Sequence, residues 1–349
     1  MVAQAKRILI CAAQVPFSRG GAEGLVEGLR CALHEAGYIV DVVALPYTWS
    51  PHRELLSSLL AWRMLDLTQA AGAPVDQIIC TKFPSYAANH PRKVVWLVHQ
   101  HRQIYDWYGT GMSDWGAEPG DRELRKTVMR IDRQVLSEAQ RRYTISRNVG
   151  QRLARFSGLS SETLYPPSPL AGRLRQGPYG DTLLAVMPRL DPAKRPELLI
   201  EALALTTLPI KCVITGDGPN RERLERWIRR CGLGERVRLA GFVSDDELIK
   251  LYEHARAVYY APVDEDYGFV TIEALGSARP VVTLEDAGGV LEFVHDGENG
   301  LVAPPNASAL AATLDRLWSS EGLTERLGAA GPAAVSAISW RRVIDTLVL

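Results

Sequence analysis

Hydrophobic residues along this chain gather into short unbroken runs separated by longer amphipathic stretches. The first run, Ile8 to Ala13, has no polar alternation, the mark of a strand buried on both faces. The same reasoning predicts strands over 39–45, 77–80, 94–99 and 142–146, with helices over 22–36, 53–70 and 122–140 between them. A proline cluster, Tyr165-Pro166-Pro167-Ser168-Pro169, then interrupts the pattern, followed by a Gly/Pro/Arg-rich stretch over 171–180. Proline blocks both helix interiors and central strands, so this is a natural linker. The alternation restarts beyond it, with strands over 182–187, 210–215, 237–240, 257–260 and 280–283 and helices over 195–205, 221–231, 246–254 and 307–319. Asp245 is the expected N-cap of the third of these. The last stretch, from Ser339 through Trp340 to Leu349, reads as a short amphipathic helix. Strands alternating with helices imply right-handed crossovers and parallel sheets. The fold class expected is α/β, with two successive doubly wound, Rossmann-like domains and a cleft between them.

Length agrees, because 349 residues are more than one hydrophobic core usually organises. Net charge is zero, so the whole molecule is no candidate for nonspecific nucleic-acid binding, and none is expected as a partner. Locally, residues 122–155 carry ten basic side chains against three acidic ones. Solvated helix faces account for such a run; attraction to an anionic membrane surface or lipid carrier is the sharper reading. The five cysteines, Cys11, Cys31, Cys80, Cys212 and Cys231, are odd in number and lack a C-x-x-C, which points to core thiols in a reducing compartment. Lys6-Arg7 is followed only by a strand-length apolar run without a cleavage site, and no run reaches spanning length. A cytoplasmic protein is expected, with peripheral contact at the inner membrane face through 122–155.

Four polar constellations follow predicted strands in the second half, at the strand ends where open α/β sheets bind ligands. Arg189 and Lys194, five residues apart, can clamp a diphosphate without a metal; alone they also read as a basic helix start. Gly216-Asp217-Gly218-Pro219 and Gly241-Phe242-Val243 are individually ordinary turns, the second able to offer main chain and an aromatic face to a base. Glu265 and Glu273 flank Tyr267-Gly268-Phe269-Val270, one in a loop and one in the first turns of a helix. The amides at that helix start suit an anion, and the two carboxylates suit hydroxyls.

Taken as a series, these motifs resemble the donor domain of the GT-B glycosyltransferases of family 4. Gly288-Gly289-Val290-Leu291-Glu292 and Asp296-Gly297-Glu298-Asn299-Gly300-Leu301 strengthen the match. In the first half, Gly20-Gly21-Ala22-Glu23 resembles the family's Gly-Gly-Ala-Glu loop, and His99-Gln100-His101 stands where the family often has His-Asp, leaving open which histidine serves. Tyr165-Pro166-Pro167 resembles its interdomain Tyr-Pro-Pro. The chain departs at Pro188, Arg195 and Ala278, where glycine is usual.

The resemblance implies a retaining, metal-independent hexosyltransferase that moves a sugar from a UDP- or GDP-sugar to a glycan, lipid-linked or small-molecule acceptor in polysaccharide biosynthesis, with no cofactor. It implies an acceptor domain over 1–166, a donor domain over 167–335 and a final helix, 336–349, crossing back to the first. Arg189 and Lys194 would neutralise the diphosphate, helped by amides at Gly20, Gly21, Phe269 and Val270. Gly216, Phe242 and Val243 would lie on the nucleotide side, Tyr267 and Gly268 along the donor, Glu273 on the ribose and Glu265 on the sugar, with His99 orienting sugar or acceptor. Asp264-Glu265-Asp266 contains an Asp-x-Asp pattern but reads as the hydroxyl-binding loop. The loop His101 to Gly120, with His101 itself and Tyr105, Trp107, Tyr108 and Trp115, is the candidate acceptor wall; a hydrophobic cluster under a long loop would look the same. The competing readings are a nucleotide-sugar epimerase or phosphorylase on the same scaffold, or a binding protein without turnover. A nicotinamide enzyme is disfavoured, since no Gly-x-Gly-x-x-Gly follows the first strand.

Overall fold

The computed structural model of the protein describes residues 5–17, 20–116 and 119–349; Ser18 and Arg19, just before the expected Gly20-Gly21 loop, lie outside the described residues. Two compact units are present: residues up to Pro167 together with Ile338–Leu349, and Ser168–Ala337.

In the first unit, β1 (Arg7–Gln14) leads to α1 (Gly21–Glu35), β2 (Ile39–Pro46) and α2 (Glu54–Met64). A two-residue hairpin, β3 (Gln69–Ala70) and β4 (Ala73–Pro74), then precedes β5 (Gln77–Cys80). β6 (Lys93–Leu97), α3 (Asp121–Ser137), β7 (Arg141–Thr144), α4 (Arg147–Ser157) and β8 (Glu162–Thr163) complete the run. The expected helix over 53–70 therefore stops at Met64: Asp66 takes the Thr68 N–H and hydroxyl in a local turn, which competes with the helical ladder. The sheet has the order β2-β1-β5-β6-β7-β8 and is parallel throughout.

The second unit starts with β9 (Thr182–Arg189), α5 (Pro196–Leu205), β10 (Lys211–Asp217), α6 (Arg221–Arg230), β11 (Val237–Gly241) and α7 (Asp245–His254). It continues with β12 (Ala257–Tyr259), α8 (Phe269–Gly276), β13 (Val281–Leu284), β14 (Gly300–Ala303), α9 (Ala307–Trp318) and α10 (Glu321–Val335). The N-cap of α7 is Ser244, not Asp245. Ser244 Oγ accepts from Glu247 N–H while Glu247 reaches back to Ser244 N–H, a reciprocal pair that Asp245 could not complete one residue later. The sheet order is β11-β10-β9-β12-β13-β14, again parallel throughout. Leu183, Ala185, Ile214, Tyr259, Val282 and Leu301 form the middle of the core on one face of this sheet, packed against α5, α6 and α9. Each such large side chain contributes about 1.5–3 kcal/mol by leaving water.

The final helix, α11 (Trp340–Leu347), belongs to the first unit. Trp340 lies on α1 at Gly28, where a Cβ would come within 2.3 Å of its ring, and meets Trp96 edge-on at 6.4 Å. Buried Gln77 donates to Leu347 C=O and accepts from Leu349 N–H. Among the described residues, no helix is long and apolar enough to cross a membrane.

The order of the second sheet matters for function. Successive strands step from β9 towards β11, then jump back past β9 to β12, so the crossover direction reverses between β9 and β12. A crevice opens outside the carboxyl ends of the two strands at such a reversal.

Candidate functional site

The loops leaving β9 and β12 bring Lys194 and Glu265 together at that reversal. After β9, Asp191 caps a turn of 3-10 helix over Pro192–Lys194 through Lys194 N–H. Arg195 then takes a left-handed conformation, φ +54°, before α5 begins, so the expected helix over 195–205 starts one residue late. Its guanidinium is held bidentately by Asp286. After β12, Val263 N–H donates to Ala193 C=O at 2.8 Å, stitching the two loops. Glu265 is fixed through its main chain, with its N–H on Ala287 C=O (3.2 Å) and its C=O accepting from Gly289 N–H (2.8 Å). The Gly288-Gly289 segment thus serves as a rail for the acidic loop.

The result is an ion pair between Lys194 Nζ and Glu265 Oε2, with Tyr260 OH 3.3 Å from the same ammonium. Burial pushes the Lys194 ammonium down, but the Tyr260 hydroxyl and the Glu265 carboxylate outweigh it and hold it above the usual lysine range. Arg189 behaves differently. Its side chain is 79% exposed at the end of β9, with Nε 3.9 Å from Asp191. One member of the expected clamp is largely buried and held in an ion pair, and the other is an exposed surface cation.

Gly268 is the N-cap of α8, so Phe269 and Val270 open the helix as its first turn. Glu273, one turn further, is almost fully buried. Its Oε1 accepts from Ser168 Oγ (2.6 Å) and its Oε2 from Tyr252 OH (2.9 Å). Burial pushes its carboxyl above the usual range, and the two hydroxyl donors pull it back. Tyr267, expected along the donor, has its ring turned inward, edge-on to Phe269 and Phe293 at 5.4 Å each and 2% exposed.

Gly216 closes β10 against β9. A Cβ there would fall 1.7 Å from Met187 C=O, so its first role is the close approach of the two strand ends. Phe242 is 86% exposed just after β11 and, with Val243, Ala240, Lys250 and Leu251, lines a groove of about 510 Å³ that ends at the carboxyl edge of the sheet. A groove of about 580 Å³ along Lys211, Glu235 and Arg236 sits at the amino ends of β10 and β11, the wrong end for a ligand of this fold.

In the first unit, Gly20 N–H is taken by Glu23 Oε2 (2.8 Å), whose other oxygen accepts from Lys82 Nζ (2.7 Å). Gly21 begins α1, where first-turn amides have no intrahelical partner. His99 follows β6 and is half-buried; its Nδ1 lies 2.7 Å from Gln100 C=O. A carbonyl only accepts, so Nδ1 carries a proton. His101 goes into the core instead, with Nδ1 2.9 Å from Tyr47 OH and its ring among Tyr47, Phe83 and Trp115. Burial, followed by His99 and His52, pushes it down to about 3, so it is neutral.

The expected acceptor wall is reduced in the same way. Tyr105 is a core residue, 4% exposed, whose hydroxyl donates to buried Asp132 (2.7 Å), as does that of Tyr86. Trp107 and Tyr108 remain nearer the surface, each with one face covered by a guanidinium, Arg102 at 4.3 Å and Arg125 at 4.0 Å.

Several residues of these constellations carry no sequence signal: Tyr260, Ser168, Tyr252, Lys82 and Asp286 are each far in sequence from the side chain they hold. Arg195 and Ala278, by contrast, both have left-handed backbone, φ +54° and +55°. Two of the three positions that depart from glycine thus still adopt the conformation that glycine favours.

Residues 176–334 match the family described as glycosyl transferases group 1. The second unit is a domain of that family. An uncharacterized glycosyltransferase of Methanocaldococcus jannaschii is 34% identical over 148 residues, covering 42% of this chain and 38% of the relative. The alpha-D-kanosaminyltransferase of Streptomyces kanamyceticus is 29% identical over 239 residues, covering 65% and 61%. The chain therefore spans between 38% and 61% of the length of these two curated relatives. Among solved structures, sucrose-phosphate synthase from Thermosynechococcus elongatus superposes with a TM-score of 0.78 at 20% identity, covering 97% of this chain and 96% of that one. Anabaena HepE, solved with UDP and glucose, gives 0.70 at 18% identity, covering 98% and 99%. These likenesses make the fold GT-B.

Proposed function

We propose that the protein is a retaining, metal-independent glycosyltransferase that moves a sugar from a nucleoside-diphosphate sugar to a glycan or lipid-linked acceptor. The observation that carries this reading is the Lys194–Tyr260–Glu265 cluster at the β9/β12 reversal, with buried Glu273 one turn into the helix that follows Glu265. UDP is the favoured donor nucleotide, since the solved HepE structure holds UDP and glucose.

In this reading Lys194 and surface Arg189 offset the charge that develops on the leaving diphosphate, joined by the amides at the start of α8. Cations and amides placed where charge appears are the largest contribution such a site can make, and they leave no step that requires a metal. Glu273 accepts from the ribose hydroxyls and Glu265 from a hydroxyl of the sugar, while Phe242 and Val243 offer an apolar ledge to the base. Departure and attack occur on one face of the sugar, with a donor phosphate oxygen taking the acceptor proton. His99 orients a hydroxyl of the acceptor. The first unit carries the acceptor, with Trp107 and Tyr108 as stacking surfaces. The basic face of α3 gives peripheral contact with an anionic membrane: Arg122, Lys126, Arg130 and Arg133 are exposed along it.

The test is a panel of UDP- and GDP-sugars screened by thermal shift, then donor hydrolysis and transfer with and without EDTA. Stabilisation by one nucleotide sugar, turnover indifferent to EDTA and an α-product from an α-donor by NMR are expected. An isomerised donor or an inverted product would refute the reading.

A further inference from the structure

The proposed role of Glu273 requires a buried carboxylate that stays ionised and points in one direction. We propose that Ser168 and Tyr252 are positioning residues that aim the Glu273 carboxylate at the ribose hydroxyls of the nucleotide donor. This rests on the reading of Glu273 given above and extends it to two residues outside the motifs.

The geometry is closed on three sides. Ser168 follows the Pro166-Pro167 pair and is 3% exposed; its hydroxyl donates to Glu273 Oε1 at 2.6 Å. The same Ser168 oxygen accepts from Leu170 N–H at 2.9 Å. A hydroxyl has one proton, and with its lone pair engaged by an amide that proton is committed to the carboxylate. Tyr252, on α7, is fully buried and donates to Oε2 at 2.9 Å. The two donors come from segments 105 and 21 residues away, so neither can follow Glu273 if its rotamer changes.

Two consequences follow. A carboxylate offers about four lone-pair directions, so one donor on each oxygen leaves each oxygen one further direction. Two neighbouring acceptor sites about a carboxylate's width apart suit a vicinal diol. The hydroxyls donated to the two oxygens favour the ionised form, against the burial that disfavours it. Without them, a long side chain in an apolar pocket would be free to rotate or to neutralise.

The proposal can be tested by titration calorimetry of the full chain with UDP and with 2′,3′-dideoxy-UDP, and with the corresponding GDP pair. The wild type should prefer the hydroxylated nucleotide by about tenfold or more, the range of hydrogen bonds to a charged acceptor. Ser168→Ala and Tyr252→Phe should each cut that preference about three- to tenfold while affinity for the dideoxy nucleotide stays within about twofold. Ser168→Thr, which keeps the hydroxyl, should restore it; these two Ser168 variants decide the matter if Tyr252→Phe does not fold. A preference retained in Ser168→Ala, or an equal loss for both nucleotides, overturns the positioning role and leaves the ribose contact standing. A wild type without preference, or Glu273→Ala as selective as wild type, overturns the ribose contact itself, and the positioning role with it.

Discussion

Replacing Lys194 with methionine separates what the Lys194–Glu265 pair does for the fold from what it does for a reaction. The two side chains are 18% and 19% exposed, so the pair is largely but not wholly withdrawn from water. At an effective dielectric constant of about 20, opposite charges 4 Å apart attract by about 4 kcal/mol, and desolvation takes most of that back. The net worth of the pair is therefore small, but Lys194→Met takes the cation from beside a carboxylate that is four-fifths buried. The expected loss of stability is about 1–3 kcal/mol, kept at the lower end of buried pairs because water reaches both groups. Lys194→Met/Glu265→Gln removes both charges and should recover most of it. Activity should not follow. Lys194→Met should lower kcat/KM about 10²–10³-fold, the cost of one electrostatic contact made at the developing charge, and the double variant should remain at least as slow. Urea unfolding gives the first pair of numbers and donor turnover the second. Turnover within about threefold of wild type in Lys194→Met would remove this lysine from the leaving-group site, and a double variant as unstable as the single one would refute the electrostatic argument.

Three further outcomes are expected. Burial pushes the Asp132 carboxyl up to about 7, partly offset by the Tyr105 and Tyr86 hydroxyls; an acid raised on folding contributes stability below its unfolded pKa and loses it as pH rises through the folded one. Between pH 5 and 7 the wild type should therefore lose about 2–3 kcal/mol relative to Asp132→Asn in urea unfolding, and parallel curves would contradict the burial argument. Ala278→Gly relieves a left-handed alanine and should raise stability by up to about 1 kcal/mol, or about 2–4 °C in Tm, whereas a fall in Tm would mean that its buried methyl matters more than its backbone. Reversing Arg130 and Arg133 to glutamate should weaken sedimentation with phosphatidylserine vesicles about tenfold or more at about 1 kcal/mol per charge; undiminished binding would clear α3 of that role.

The sequence was informative where one residue's chemistry and its place after a strand sufficed. Buried strands such as Ile8 to Ala13 are apolar on every position, and the order of glycine, cation and carboxylate motifs follows the chain, so two α/β sheets and a candidate site at the strand ends could be anticipated. Contacts across the fold left no such trace. His99 and His101 differ by two residues, and only the packing of Tyr47, Phe83 and Trp115 sends the second into the core. Tyr105 looked like a surface aromatic because nothing local reveals that Asp132, 27 residues on, receives its hydroxyl. Glu273 was legible as a carboxylate, but its two holders were not, since Ser168 reads as part of a proline linker and Tyr252 as one core position of a helix. The helix over 53–70 was overextended because its apolar period continues past the Asp66 turn that ends it.

The seating of α11 has a consequence for how the chain is made. Gln77 is completely buried in β5, and both of its amide atoms find partners only on residues 347 and 349. As the polypeptide emerges during synthesis, the unit spanning 168–337 has its whole sequence available before the first unit has its last helix. Until Trp340 reaches Gly28 and Trp96, the earlier-made sheet holds an uncovered apolar face and an amide without partners, so the domain begun first is finished last. A nascent chain stalled near residue 337 should carry a protease-resistant second unit beside a first unit that is still open to cleavage.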